Sequence, residues 1–338
     1  MTGDNKLLAN IFNIINNFRK KFNLPIMFYG LIILFIFFGI LTGWRNISGL
    51  NLQLILRNSS ILLFAAIGMT MVILVSQVDL SIGSVMSLSA SITAIALANG
   101  IGTIPAIFLG LLCGGVIGLI NGILIAVLRF DYWITTFATM GIGAGLALVI
   151  TGGATVGINN MVFRWLGSER VFGIYVMVYF TVILVIFVVL LLKYTKFGYN
   201  IYSIGGSEVA ARLSGINVTR TRVAVYVCSG LFAAIAGLLL ACISEAARPA
   251  AGAAYSFDAL AAVIIGGTSF DGGRGGVPGT ILGTIILRVL ANGLSLMGIS
   301  SPWQRLIIGV VIVLVLVADA ISQKRRKFRD LRRIYSYD

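Results

Sequence analysis

The chain has 338 residues, 59% of them hydrophobic and 11% charged, with 25 Lys and Arg against 11 Asp and Glu. Soluble domains carry roughly 25% charged residues, so this composition excludes an ordinary soluble protein. The formal net charge of +14 does not mark a nucleic-acid surface either, because the basic residues gather in loops and at the ends of apolar runs.

Residues 1–25 read as a polar cytoplasmic segment with Arg19, Lys20 and Lys21 just before the first apolar run. No small-residue cleavage site follows that run near Gly39 to Trp44, so it reads as an uncleaved span. Apolar segments fall near 26–43, 52–75, 80–98, 104–128, 132–151, 173–192, 221–242, 257–269, 277–297 and 302–320. That makes about ten. An even number places both termini on one side, and the run Lys324-Arg325-Arg326-Lys327 assigns that side to the cytoplasm. About 18 of the basic residues then lie on the cytoplasmic side and about 5 outside. The expected architecture is all-α and polytopic, with a transmembrane domain over 26–320 and a basic cytoplasmic tail over 321–338.

Between the second and third segments stands Ser76-Gln77-Val78-Asp79-Leu80-Ser81. A carboxylate in lipid is costly, so Asp79 belongs at an interface, in a wet cavity or in a pair. It also suits a helix N-cap with Ser81 in the first turn. Capping and a direct role in gating or solute contact are compatible. In the fourth segment, Gly114-Gly115-Val116-Ile117-Gly118-Leu119-Ile120-Asn121-Gly122 aligns without a gap with Gly275-Gly276-Val277-Pro278-Gly279-Thr280-Ile281-Leu282-Gly283. The shared pattern predicts two five-helix halves of opposite orientation. Its glycines also suit close helix packing in a membrane.

The loop over about 193–220 carries a polar, helix-prone island, Ile204 to Val218, amid Lys193, Lys196, Arg212, Arg220 and Arg222. Gly205 and Gly206 punctuate its start and Gly215 its end. A capped amphipathic helix on the cytoplasmic side suits a docking partner, with Gly205, Gly206, Glu208, Ala210, Ala211, Arg212 and Gly215 as the expected contact residues. The bland alternative is a helix resting on lipid headgroups. The run 257–269 is too short to cross a bilayer of about 30 Å. It reads as a half-helix capped by Ser256, with Asp258 at its positive end. Asp271-Gly272-Gly273-Arg274-Gly275-Gly276 lacks the ending of a P-loop and reads as a tight turn. Gln77, Asp79, Ser81, Asn121, Asp258 and Asn292 are the polar residues expected along a translocation path or its gates.

These motifs carry a resemblance. Gly68-Met69-Thr70 with Val78-Asp79-Leu80-Ser81-Ile82-Gly83-Ser84, the 204–218 island, and Phe257 to Gly283 with Asn292-Gly293-Leu294 resemble ribose-type sugar ABC transporter permeases, from about residue 45 onward. The resemblance implies a membrane subunit of an ATP-driven importer in the bacterial inner membrane. Its implied partners are a cytoplasmic ATP-binding subunit, a periplasmic or lipid-anchored sugar-binding protein, and a second permease copy or relative. Two departures stand out: Ser76-Gln77-Val78 where such permeases place two glycines and an isoleucine, and the small-residue segment Glu245 to Ala250.

Other classes fare worse. An ion-coupled secondary transporter also uses inverted repeats and broken helices, but it needs intramembrane ionisable residues. Only Asp79, Asp258, Arg288 and Asp319 come near that role. Histidine is absent, and Cys113, Cys228 and Cys242 have no metal or redox spacing. No cofactor, metal site or enzymatic nucleophile–base pair is expected.

Overall fold

The computed structural model describes residues 26–311, together with 313, 314 and 317. The segment 1–25, the tail 321–338 and Asp319 lie outside the described residues. Helices α1 (Ile26–Thr42), α2 (Gly49–Leu74), α3 (Ile82–Ala98), α4 (Thr103–Gly122, continued as a π-turn over Ile123–Val127) and α5 (Tyr132–Thr151) form the first half. The second half holds α7 (Val176–Tyr194), α10 (Val218–Ser244), α11 (Tyr255–Ile265), α12 (Val277–Leu296) and α13, which begins at 301. Between α5 and α7 lie the short strand β1 (Val156–Gly157), helix α6 (Met161–Ser168) and the hairpin β2 (Arg170–Val171) to β3 (Ile174–Tyr175). Helices α8 (Lys196–Gly206) and α9 (Glu208–Leu213) fill the basic loop, and β4 (Ala246–Ala247) follows α10.

The helix boundaries follow local chemistry. Ser48, Asp131 and Asn217 accept backbone N–H bonds at the starts of α2, α5 and α10, satisfying donors that a helix leaves free. Among the described residues, six helices are long and apolar enough to cross a membrane. The centre is a pair, α2 against α10, flanked by α3 and α4 on α10 and by α11 and α12 on α2. Equivalent helices of the two halves therefore pack in equivalent ways. At Gly114, Gly118 and Gly122 an added Cβ would collide with the α10 backbone, so these glycines set the α4–α10 approach. Gly279 and Gly283 do the same for α12 on α11. The two copies of the repeat differ at their first residues. Gly114 and Gly115 are helical, whereas Gly275 and Gly276 have φ of +110° and +145° and form the turn before α12.

The structure contains two broken helices where the sequence marked one. The 11 residues of α11 rise about 16 Å, as the run 257–269 predicts. The third segment, expected as a full span, is also short: α3 has 17 residues and starts deep in the bundle. Its first turn lies beside Ser229, about 16 Å along α10 from Val218. The chain therefore returns from the end of α2 to about half-depth before α3 begins, and α11 begins beside the same point.

Candidate functional site

Two places gather the predicted residues. The first is a polar knot where α3 and α11 start. Asp79 is 1% exposed. Its Oδ1 accepts from the Ser81 backbone N–H at 2.9 Å and from Ser81 Oγ at 2.5 Å, and its Oδ2 accepts from Ser229 Oγ at 2.7 Å. Asn121 Nδ2 donates to Ser81 Oγ at 3.0 Å, which ties α4 into the same network. No Lys or Arg pairs with Asp79 among the described residues. Three donated hydrogen bonds and the positive end of α3 offset the cost of burying the carboxylate. Asp79, Ser81 and Asn121 thus come together, joined by Ser229, which sequence reasoning missed because a serine in an apolar helix has no flanking signal.

Ser256 corrects an expectation. The residue capping α11 is Ala254, with no side-chain bond, and Ser256 caps its neighbour instead. Its Oγ accepts from the Gly83 N–H at 2.9 Å and donates to the Leu80 carbonyl at 2.7 Å. One free donor of α3, the Gly83 N–H, is met by a residue of α11 because the two helices start side by side. The remaining path candidates lie apart. Gln77 is buried but bonded to neither Asp79 nor Ser81. Asp258 faces Arg288 of α12 at 3.6 Å. Asn292 exchanges two amide bonds with Asn51 of α2, at 2.8 and 2.9 Å.

The second place is the loop arm. The expected single island is two helices, broken at Ser207, whose Oγ accepts from the Ala210 N–H at 3.3 Å. Gly205 and Gly206 close α8 and do not open α9. A Cβ on Gly205 would collide with the Leu74 carbonyl and the Gly273 N–H, whereas one on Gly206 would meet nothing within 4 Å. Gly205 is therefore a packing contact to the end of α2 and to the 268–276 turn. Ala211, 3% exposed, also faces inward. Of these two expected docking residues, Gly205 is half-buried at the end of α8, and Ala211 is buried because α9 needs an inner face to pack. The exposed set is Gly206, Ala210, Arg212 and Gly215, with Val209 and Leu213 at 70% and 85% exposure. That apolar pair was missed by sequence reasoning, although its i, i+4 spacing was legible.

Glu208 accepts from Arg212 at 2.7 Å and from Arg222 of α10 at 2.6 Å. The hydrogen bond from Arg212 holds its carboxyl below the ordinary value against the opposing effect of burial, the next largest, and Arg222 adds to the lowering. The arm is thereby locked to α10. Next to it, Gly273 N–H donates to the Leu74 carbonyl at 3.0 Å and Ser76 Oγ to the Asp271 carbonyl at 2.7 Å. Two residues separate Ser76 from Asp79, so arm, Gly-rich turn and polar knot form one continuous contact chain. Among the described residues, no cluster of His, Cys, Asp or Glu could hold a metal ion.

Comparison with known proteins matches residues 51–316 to a family described as branched-chain amino acid transport system / permease component. The chain belongs to this family. It is 38% identical over 277 residues to the ribose import permease protein of Escherichia coli (strain K12), covering 81% of this chain and 86% of that one. The ribose import permease protein of Bacillus subtilis (strain 168) is 41% identical over 294 residues, or 86% and 91% of the two chains. The L-arabinose transport system permease protein of Escherichia coli (strain K12) is 34% identical over 286 residues, or 83% and 84%. No solved structure matches. The chain is a multi-pass membrane permease component.

Proposed function

We propose that this chain forms the membrane path of an ATP-driven importer for a pentose or related monosaccharide. A cytoplasmic ATP-binding subunit would dock on the arm, and an extracytoplasmic sugar-binding protein would deliver the solute. The observation that carries the reading is the arm itself. Val209 and Leu213 present apolar surface on a capped, ion-paired helix, and the preceding helix of the arm packs through Gly205 onto the bundle. A rigid element with an exposed apolar pair suits a protein partner, and its contact with Leu74 and Gly273 offers a route by which that partner could move the bundle. The similarity to ribose and arabinose permeases supports the sugar class.

In this reading the basic loop and both termini face the cytoplasm, and the permease works as a dimer with a second copy or a relative. Gln77, Asp79, Ser81, Asn121, Asp258 and Asn292 act through the arrangement of the broken helices. Asp79 and Ser256 both hold the start of α3, beside which α11 begins, so a shift of the arm would reach the midplane through Ser76. Deleting the gene and measuring uptake of labelled ribose, arabinose and an unrelated amino acid tests the proposal. Loss of one pentose alone supports it, and loss of amino-acid uptake alone contradicts it.

A further inference from the structure

A cavity of about 500 Å³ lies between α7, α8 and the start of α12. Val189, Leu192 and Val277 give it apolar walls, and Lys193, Tyr199 and Tyr202 supply its polar groups. Tyr202 is committed to the wall, its hydroxyl donating to the Gly275 carbonyl at 3.0 Å. No carboxylate pairs with Lys193 among the described residues, and its ammonium lies 5.2 Å from the Tyr194 ring centroid. Lys193 is in the last turn of α7, a 19-residue apolar helix, so the cavity sits where hydrocarbon gives way to headgroups. Helix α8 lies across that boundary, with Ile201 and Ile204 buried and Tyr199 67% exposed.

We infer that this cavity binds an acidic phospholipid, with the headgroup phosphate at Lys193 and Tyr199 and the upper acyl chain along Val189, Leu192 and Val277. A free phosphate would leave the apolar walls wet, whereas a lipid covers both kinds of surface. Basic groups at a membrane surface attract anionic lipids. The site adjoins α8, so a lipid there would brace the arm. The inference rests on membrane placement and not on the transported solute.

The test is native mass spectrometry of the full chain in detergent, titrated with phosphatidylglycerol and with phosphatidylcholine. The wild type should retain phosphatidylglycerol preferentially. Lys193→Gln should weaken that retention roughly five-fold, the effect of about one basic contact. Lys196→Gln, a neighbour that does not line the cavity, should leave it unchanged. Inorganic phosphate in excess should not displace the lipid. Unchanged retention in Lys193→Gln, equal retention of both lipids by the wild type, or displacement by phosphate overturns the inference. Should Lys193→Gln not fold, a photoreactive phosphatidylglycerol on the wild type decides the matter. Cross-links in the 189–202 peptide support the site, and cross-links only elsewhere refute it.

Discussion

Replacing Asp79 separates the charge of the knot from its hydrogen bonds. Asn at this position keeps an oxygen for the two Ser81 donors, and its amide can donate to Ser229 Oγ once that hydroxyl rotates. All three bonds survive and a buried charge is removed, so Asp79→Asn should cost less than about 1 kcal/mol. Asp79→Ala removes the acceptor for a buried backbone N–H and two hydroxyls. Ser81 Oγ keeps its bond from Asn121, but the N–H at 81 and Ser229 Oγ are stranded. At about 1–3 kcal/mol for each of these two unsatisfied buried groups, the loss should be about 2–6 kcal/mol. That exceeds the roughly 0.5–2 kcal/mol expected for an exposed cap. Unfolding of each variant in an SDS titration, with uptake measured at matched membrane levels, reads both effects. If Asn proves as damaging as Ala, the negative charge itself is required and the hydrogen-bond account of the knot is wrong.

Gly205→Ala should weaken the arm's seat on Leu74 and Gly273 and lower uptake several-fold. Gly206→Ala, with free space around it, should be neutral or slightly stabilising. Equal effects in uptake assays would contradict the packing role. Gly215 has φ +80° and is exposed, so Gly215→Asp adds backbone strain and a charge at the docking face. Uptake should fall while the protein still inserts and its partner still hydrolyses ATP, and normal uptake at normal expression would refute docking there. Glu208 has a depressed pKa, so its lock on α9 is present above the ordinary value of 4.5 and is lost as pH falls through the lower folded value. Hydrogen exchange at 208–214 should therefore be flat from pH 7 to about 5 after correction for intrinsic rates. Glu208→Gln should raise it throughout, and a rise in the wild type near neutral pH would show that another group controls the arm.

Much of the fold was legible because membrane insertion forces long apolar runs, and their breakers lie close to the observed helix ends. The run 257–269 revealed its shortness directly. The shortness of α3 was hidden, since 80–98 is apolar throughout and only its depth beside Ser229 shows that it starts half-way. Ser256 was legible as a cap but not as the cap of another helix, because sequence shows local neighbours only. The two departures from the family pattern share a backbone feature that appears only in three dimensions. Ser76 and Glu245 both have left-handed backbones, at φ 62° and 46°, where glycine would be easier. Each uses its side chain instead, Ser76 bonding the Asp271 carbonyl and Glu245 pairing with Arg164 at 3.5 Å.

Reconstitution of the purified chain in vesicles tests the central claim most directly. A path with few buried charges and no histidine can change state only through a partner that interacts differently with its two states. The chain alone should therefore give no concentrative uptake of labelled ribose or arabinose under an imposed proton or sodium gradient. Uptake should appear when the ATP-binding subunit and ATP are supplied on the arm side and the sugar-binding protein on the other. Accumulation driven by an ion gradient, with this chain as the only protein, would contradict the account.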